Sequence, residues 1–356
     1  MHRAVPARLR GCAAEVSLAF EMRCAYLIVG ASLLSAAQNL QIGTIEFFGL
    51  RKIPEERIRS VLGVREGDSI VPSDSWGKSV RRRIEAIAGV SRVHVNLGCC
   101  DPAGRATVTI GIVEKGVPVM AFRGAPALPV RLPKEIIGTY RRCMDAWEHA
   151  IRIGDNQDNV EEGHSLMANS EVRAIQLRFI PLAQKHLEVL RRVLRDSAYD
   201  EHRAAAAWVL GYASDKASVV GDLVYASGDP NELVRNNAMR SLWAIASLST
   251  SKPELGIHIP RDPFIDLLNS IVSSDRNKAV AVLGVITLNR PPDIMDALRS
   301  RALPVLAQMA RKPDGFGAYL LIGRVAGLAE NKITESWKSE EGESVILGVL
   351  RGGPQE

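Results

Sequence analysis

Apolar and polar residues follow two periods along this chain, and the balance between them changes near residue 117. Before that point short alternating runs are interleaved with helical ones. Thr44-Ile45-Glu46-Phe47-Phe48-Gly49 reads as a short strand. Pro54 opens a helix that runs to Leu62, with Ile58, Val61 and Leu62 on its apolar side, and Gly63 stops it. Gly67-Asp68 marks a turn. A second helix, from about Ser73 to Ala88, carries Trp76, Val80, Ile84 and Ile87 at helical spacing, and Gly89 ends it. From Val90 to Leu97 the residues alternate: Val93, Val95 and Leu97 face one way, Arg92, His94 and Asn96 the other. Asp101-Pro102-Ala103-Gly104 makes a hairpin loop, and Ala106–Glu114 is the return strand. The predicted order is β-α-α-β-β over residues 38–116, a small α+β domain with both helices on one face of a three-stranded sheet.

Beyond it the helical period takes over. Val117 to Pro133 contains Pro118, Pro126, Pro129 and Pro133, which excludes a helix; a short edge strand at Val117–Phe122 and then a stiff spacer are expected. Lys134 to Ile153 is helical, with Ile137, Tyr140, Met144, Trp147 and Ile151 as its stripe, and a polar loop continues to residue 169. One long helix is expected from about Ser170 to Ser197. Then a phrase recurs. Arg203 is followed by Ala206 and Leu210, Arg235 by Ala238 and Leu242, Arg276 by Ala279 and Leu283, at offsets of 32 and 41 residues. A faded copy sets Ala318 and Ile322 a further 39 residues on, with Gly315 in place of the Arg. Partner helices are expected at Ala217–Ser227, Pro263–Ser273 and Asp293–Arg311. Small Ala lets two helices approach, and Leu fills the space between repeats. A lone helix pair cannot bury its apolar side, whereas a stack can. The second half therefore predicts an all-α superhelical repeat domain over 170–340. Residues 341–356 form a tail, with a helix or strand at Ser344–Leu350 and a polar end. The arginines and the aspartates before two of them, Asp200 and Asp275, are expected at the inter-helix turns, bonding across repeats.

Two family resemblances follow from these residues. Ile45 to Gly49, Ile58 to Leu62, Gly67-Asp68, Ile84 to Val90, Val93, Val95 and Ile110 to Glu114 together resemble the polypeptide-transport-associated (POTRA) domain. That resemblance implies a place in a bacterial envelope and docking of partner proteins by strand addition to a sheet edge. No β-barrel sequence follows the single copy. The recurring Arg-Ala-Leu phrase resembles the HEAT-repeat pattern, which implies an extended groove of helix surfaces.

The first residues point to the same compartment. Residues 23–37, RCAYLIVGASLLSAA, have an Arg, an apolar run and small residues at Ser35 and Ala37, the pattern of a secretory signal cut after Ala37. Met22 precedes it, so residues 1–21 read as an over-extended start. The competing reading is a buried N-terminal helix of a cytoplasmic protein. The mature chain would have no transmembrane span, since the run is too short for one. Of 356 residues, 46% are apolar and 24% charged, which excludes global disorder and a polytopic membrane protein. The net charge is +5, or +3 once the four Arg and two Glu of residues 1–37 are removed. Cys99, Cys100 and Cys143 remain after trimming. A bridge from Cys143 to Cys99 or Cys100 would suit an oxidising compartment, and adjacent Cys99 and Cys100 can pair only in a strained turn.

Candidate chemistry is thin. Asp155, Asp158, Glu161 and Glu162 could surround a cation, but they lack the glycine and glutamate spacing of a calcium loop. His149, His164, His186 and His202 are scattered. There is no nucleophile elbow and no phosphate loop. Arg81-Arg82-Arg83 and Arg191-Arg192 are the tight basic clusters and read as solvated helix faces; few aromatics accompany them, so no nucleic acid partner is expected. No catalytic, cofactor or metal residue is assigned and no cofactor is expected. The function that follows is a non-enzymatic, protein-binding scaffold of the cell envelope. The alternatives are an enzyme or accessory subunit with a metal-dependent site around residues 149–202, and an intracellular regulatory or nucleic-acid-associated solenoid.

Overall fold

The computed structural model describes residues 39–98, 101, 103–337, 339 and 341–352. The expected signal segment, its cut after Ala37 and the Cys99-Cys100 pair lie outside the described residues.

The N-terminal part is an α+β domain: β1 (Leu40–Phe48), α1 (Glu55–Leu62), β2 (Ser69–Ile70), α2 (Asp74–Glu85), β3 (Val90–Gly98) and β4 (Ala106–Glu114). The sheet has four strands rather than three, in the order β2-β1-β4-β3, because the residues after the Gly67-Asp68 turn fold back on Leu40 and Gln41. β1 runs parallel to β4, and β3 antiparallel to it. Both helices cover one face, where Ile42, Ile45, Phe47, Ile58, Val80, Ile84, Val108, Ile110 and Ile112 form a separate small core. Glu114 ties the β1–α1 loop to the end of β4, its carboxylate accepting the backbone N–H groups of Arg51, Lys52 and Ile53 at 2.8, 2.9 and 3.0 Å. Burial works against this carboxylate, but those donors hold it below its usual pKa.

The helical part begins with α3 (Lys134–Arg152) and a small hairpin of β5 (Asp158–Asn159) and β6 (Leu166–Met167). The loop expected there is an ordered β-turn structure. The long helix expected over 170–197 is three: α4 (Ser170–Leu177), α5 (Phe179–Lys185) and α6 (Leu187–Asp196). Pro181 has no N–H for the carbonyl of Leu177, which breaks the first junction. At the second, His186 is held by Glu135 of α3, 2.7 Å away. Then come α7 (Asp200–Leu210), α8 (Lys216–Ala226), α9 (Glu232–Ser251), α10 (Asp262–Leu267), α11 (Ser273–Ile286), α12 (Pro292–Arg301), α13 (Leu303–Ala310), α14 (Phe316–Val325), α15 (Glu330–Trp337) and α16 (Glu341–Leu350). Pro304 splits the expected partner helix 293–311 in the same way as Pro181. The end of the chain is part of the stack, since α16 buries Val345, Ile346 and Val349.

The helices that carry the recurring phrase, α7, α9, α11 and α14, lie side by side. Ala206, Leu210, Ala238, Leu242, Ala279, Leu283, Ala318 and Ile322 are all buried. Gly315 replaces the Arg because the chain turns hard there: a Cβ would sit 2.3 Å from the carbonyl oxygen of Met309. No helix among the described residues is long and apolar enough to cross a membrane.

Candidate protein-docking cleft

The alternation of β3 predicts a polar face of Arg92, His94 and Asn96. In the folded chain most of that face meets the helical stack rather than water. His94 Nε2 lies 2.8 Å from Glu232 at the start of α9. Asn96 and Thr109 both reach the Ser273 hydroxyl at the start of α11, at 3.3 and 3.1 Å. Between them the sheet backbone comes down on the turn before α11, and a Cβ on Gly111 would stand 1.9 Å from the carbonyl oxygen of Ile271. Although burial opposes it, the His94 imidazole holds the Glu232 carboxyl below its usual pKa.

The recurring arginines form the edge onto which this domain packs. Each donates a guanidinium N–H to the carbonyl six residues earlier: Arg203 to Ser197 at 2.8 Å, Arg235 to Asp229 at 2.9 Å, Arg276 to Ser270 at 2.7 Å. Two also make fork-to-fork pairs across repeats. Arg203 meets Asp229 at 2.9 and 3.0 Å, and Arg235 meets Asp275 at 2.9 and 2.8 Å. Asp200 accepts a bond from Asn231, the N-cap of α9, at 2.8 Å. The outward faces of these guanidiniums carry aromatic rings from the N-terminal part: Phe122 lies 3.8 Å from Arg235, and Phe48 lies 3.6 Å from Arg276.

The proline-rich segment is a strap along this edge, not a free spacer, and it holds no strand at Val117–Phe122. Arg123 donates to the Tyr225 carbonyl at 3.0 Å and stacks on the Tyr225 ring at 3.4 Å. Leu128 pairs with Ser197, Arg131 lies over Tyr199 at 3.5 Å, and the Leu132 N–H donates to His202 Nδ1 at 2.9 Å. Prolines suit this course because the backbone N–H groups that bond the stack are those of Arg123, Leu128 and Leu132, and the other backbone bonds use strap carbonyls. Further along, α3 and the hairpin cover α7 and α9. Tyr140 accepts from Asn237 at 2.9 Å, and Arg240, flanked by Trp147 and Trp208, is paired with Asp158. Much of the helix surface that the repeat pattern offers as a groove is therefore filled by the chain itself.

What stays open is a cleft of about 1070 Å³ between the sheet and the stack. Its walls are the β1–α1 loop (Leu50, Arg51), α2 (Arg81, Glu85), β3 (Arg92, Val93, His94), the strap (Val117 to Met120, Phe122) and the turn before α11 with Val305. That volume is at the upper end for a small-molecule site. β3 is an edge strand of the sheet, and among the described residues no strand pairs with its outer side.

A second, small cavity of about 90 Å³ lies beside it, lined by Glu46, Arg276, Lys312 and Asp314 among others. Burial between the layers, reinforced by the Asp314 charge and opposed by Lys312 and Arg276, pushes the Glu46 carboxyl from 4.5 up to about 7. The docked form takes up a proton between these values. Its stabilisation is complete below about pH 4.5 and is lost as the pH rises through 7. Glu46→Gln is expected to flatten this dependence and to strengthen docking near pH 8 by roughly 2 kcal/mol, which thermal melting of both forms across that range would measure.

The residues considered for metal binding do not converge. Asp155 accepts from Asn169, Asp158 from Ser165 and Arg240, His164 Nδ1 lies 3.3 Å from Lys216 Nζ, and His202 faces the strap. Among the described residues no group of His, Cys, Asp and Glu is placed to hold a metal ion. Burial depresses the His164 imidazole to about 4 and the Lys216 ammonium to about 8, in a polar knot that joins the hairpin to α8. Cys143 is a free thiol facing the interior of the stack, and burial pushes it up to about 12; its candidate partners Cys99 and Cys100 lie outside the described residues. Of the basic clusters, Arg83 caps the carbonyls of Val61 and Leu62, Arg81 lines the cleft, and Arg191 is paired with Glu188 and Asp222. Sequence reasoning missed the cleft because its walls come from segments as far apart in the chain as Phe48 and Gln308. The signal that pointed to it was the polar face of β3.

No protein-family model and no curated protein matches the chain. Among solved structures it is similar to a designed armadillo repeat protein in complex with the peptide (KR)4, with 17% identity, 54% of this chain and 96% of that chain covered, and a TM-score of 0.33. A second designed armadillo repeat protein shows 18% identity, with 54% of this chain and 97% of that chain covered and a TM-score of 0.33. For computationally designed armadillo repeat proteins for modular peptide recognition the identity is 18%, the coverage 52% and 94%, and the TM-score 0.34.

Proposed function

We infer that this protein is a non-enzymatic scaffold that binds a protein partner in the cleft between its sheet and its helical stack. One observation carries the reading: the outer side of β3, which no strand among the described residues pairs, borders the cleft, while α3, the hairpin, the strap and the sheet cover the phrase-bearing helices. An edge strand offers backbone N–H and C=O groups to an added strand, the docking mode that the POTRA resemblance implies. The envelope location belongs to the same proposal and rests on residues 23–37; N-terminal sequencing of the protein from its native cells should find Gln38 first.

The docking claim is tested by photo-crosslinking in those cells. A photoreactive residue at Arg92 or Val119, in the cleft wall, is expected to capture one discrete protein, and one at exposed Arg173 on α4 is not. Equal capture from all three positions, or capture from Arg173 alone, would contradict it.

A further inference from the structure

We propose that the occupant of the cleft is an extended acidic peptide segment of a partner protein, paired with the outer edge of β3. The inference rests on the protein-binding reading above and names the chemistry of the partner.

Charge decides it. Three guanidiniums line the cleft from three different elements: Arg51 in the β1–α1 loop, Arg81 on α2 and Arg92 on β3. All three residues are exposed, and none of these side chains has a hydrogen bond or ion pair among the described residues. The other charged groups of the lining are largely committed, since Arg235 is matched by Asp275, and His94 by Glu232. Among the described residues of the lining, Glu85 is the one acid left to oppose the three arginines. The cleft therefore presents three open arginines, Arg51, Arg81 and Arg92, beside an apolar wall of Val117, Val119, Met120 and Ile271. Arginines from three separate elements match carboxylates spread along a segment better than a single anion. A strand added to β3 sends alternate side chains to opposite sides. Side chains sent toward the stack meet Val117, Met120 and Ile271 with Arg92 beside them, and Asp or Glu sent toward α2 meets Arg81. Carboxylates opposite arginines also speed encounter and discriminate against basic partners.

The test uses the full chain and three synthetic peptides of about ten residues, in which Val alternates with Glu, with Ser or with Lys. Affinity is read by fluorescence anisotropy, and β3 amide protection by hydrogen exchange. The Val-Glu peptide is expected to protect β3 and to weaken as salt rises, because the three arginines are exposed. Arg51→Glu, Arg81→Glu and Arg92→Glu are each expected to weaken it by about tenfold and to improve binding of the Val-Lys peptide. Unchanged melting temperatures would show that these surface substitutions leave the fold intact. Equal binding of the Val-Glu and Val-Ser peptides, with β3 protected by both, would overturn the acidic assignment and leave the protein-binding reading standing. If no peptide protects β3, or if β3 is protected only by self-association or by an oligonucleotide, the inference falls together with the reading it rests on.

Discussion

Asp275→Ala is expected to lower the unfolding free energy of the helical stack by about 3–5 kcal/mol, the usual cost of stranding a buried charge. Arg235 is 2% exposed and Asp275 fully buried. The pair is bidentate, and the Ser270 hydroxyl donates to the same carboxylate at 2.7 Å. Removing the acid leaves a cation with carbonyl partners and the Phe122 ring but no counter-charge. Replacing both partners, as in Arg235→Met with Asp275→Leu, should recover most of the loss, because the pair's gain over an apolar pair of similar shape is small. Chemical denaturation of the two variants separates the effects. A loss below about 0.5 kcal/mol for Asp275→Ala would place this site with ordinary surface positions and count against the cross-repeat role of the arginines.

Gly111→Ala acts at the other junction. The added methyl meets backbone, the carbonyl carbon and oxygen of Ile271 at 2.7 and 1.9 Å, so no side-chain rotation relieves it. Sheet and stack must separate, and the Thr109–Ser273 and His94–Glu232 contacts lengthen with them. A cost of about 1–3 kcal/mol is expected for such overpacking. It should appear as faster hydrogen exchange in 106–114 and 270–277, with the small core under α1 and α2 still protected. Gly77→Ala in α2, where a Cβ meets nothing within 4 Å, is the control and should be neutral or slightly stabilising. If Gly111→Ala behaves like the control, the two layers do not pack as described.

The elements themselves were legible because their signals are local. Gly63 ends the first helix of the small domain, Gly89 marks the turn into β3 although the second helix already stops at Glu85, and the period-two run of Val93, Val95 and Leu97 marks β3 with its inward face. The Arg-Ala-Leu phrase marked helices that pack side by side, since Ala at a helix contact and Leu beside it report on near neighbours. Pro181 and Pro304 carried the breaks, but the apolar stripe continued through them and masked the change of axis. Partnerships over long separations left no trace in the pattern. Nothing near Asp158 announces Arg240, which lies 82 residues on, so the hairpin read as a loop. Arg92, His94 and Asn96 fall together on one face, but alternation tells which residues share a side, not what covers it. The prolines of the strap excluded a helix correctly, yet proline content does not distinguish a free spacer from one hydrogen-bonded along a stack.

The central claim is that the sheet lies face-on against the helices, leaving the β3 edge beside an open cleft. Thr109 and Ser273 test it most directly, because their hydroxyl oxygens are 3.1 Å apart and both residues are buried. In a chain with Cys12, Cys24, Cys99 and Cys100 changed to Ser, the pair Thr109→Cys and Ser273→Cys should close to an intramolecular disulfide under mild oxidation, without loss of helix content. Two thiols that stay free and react rapidly with maleimide, in a chain whose helical part remains folded, would contradict the docked arrangement and with it the cleft.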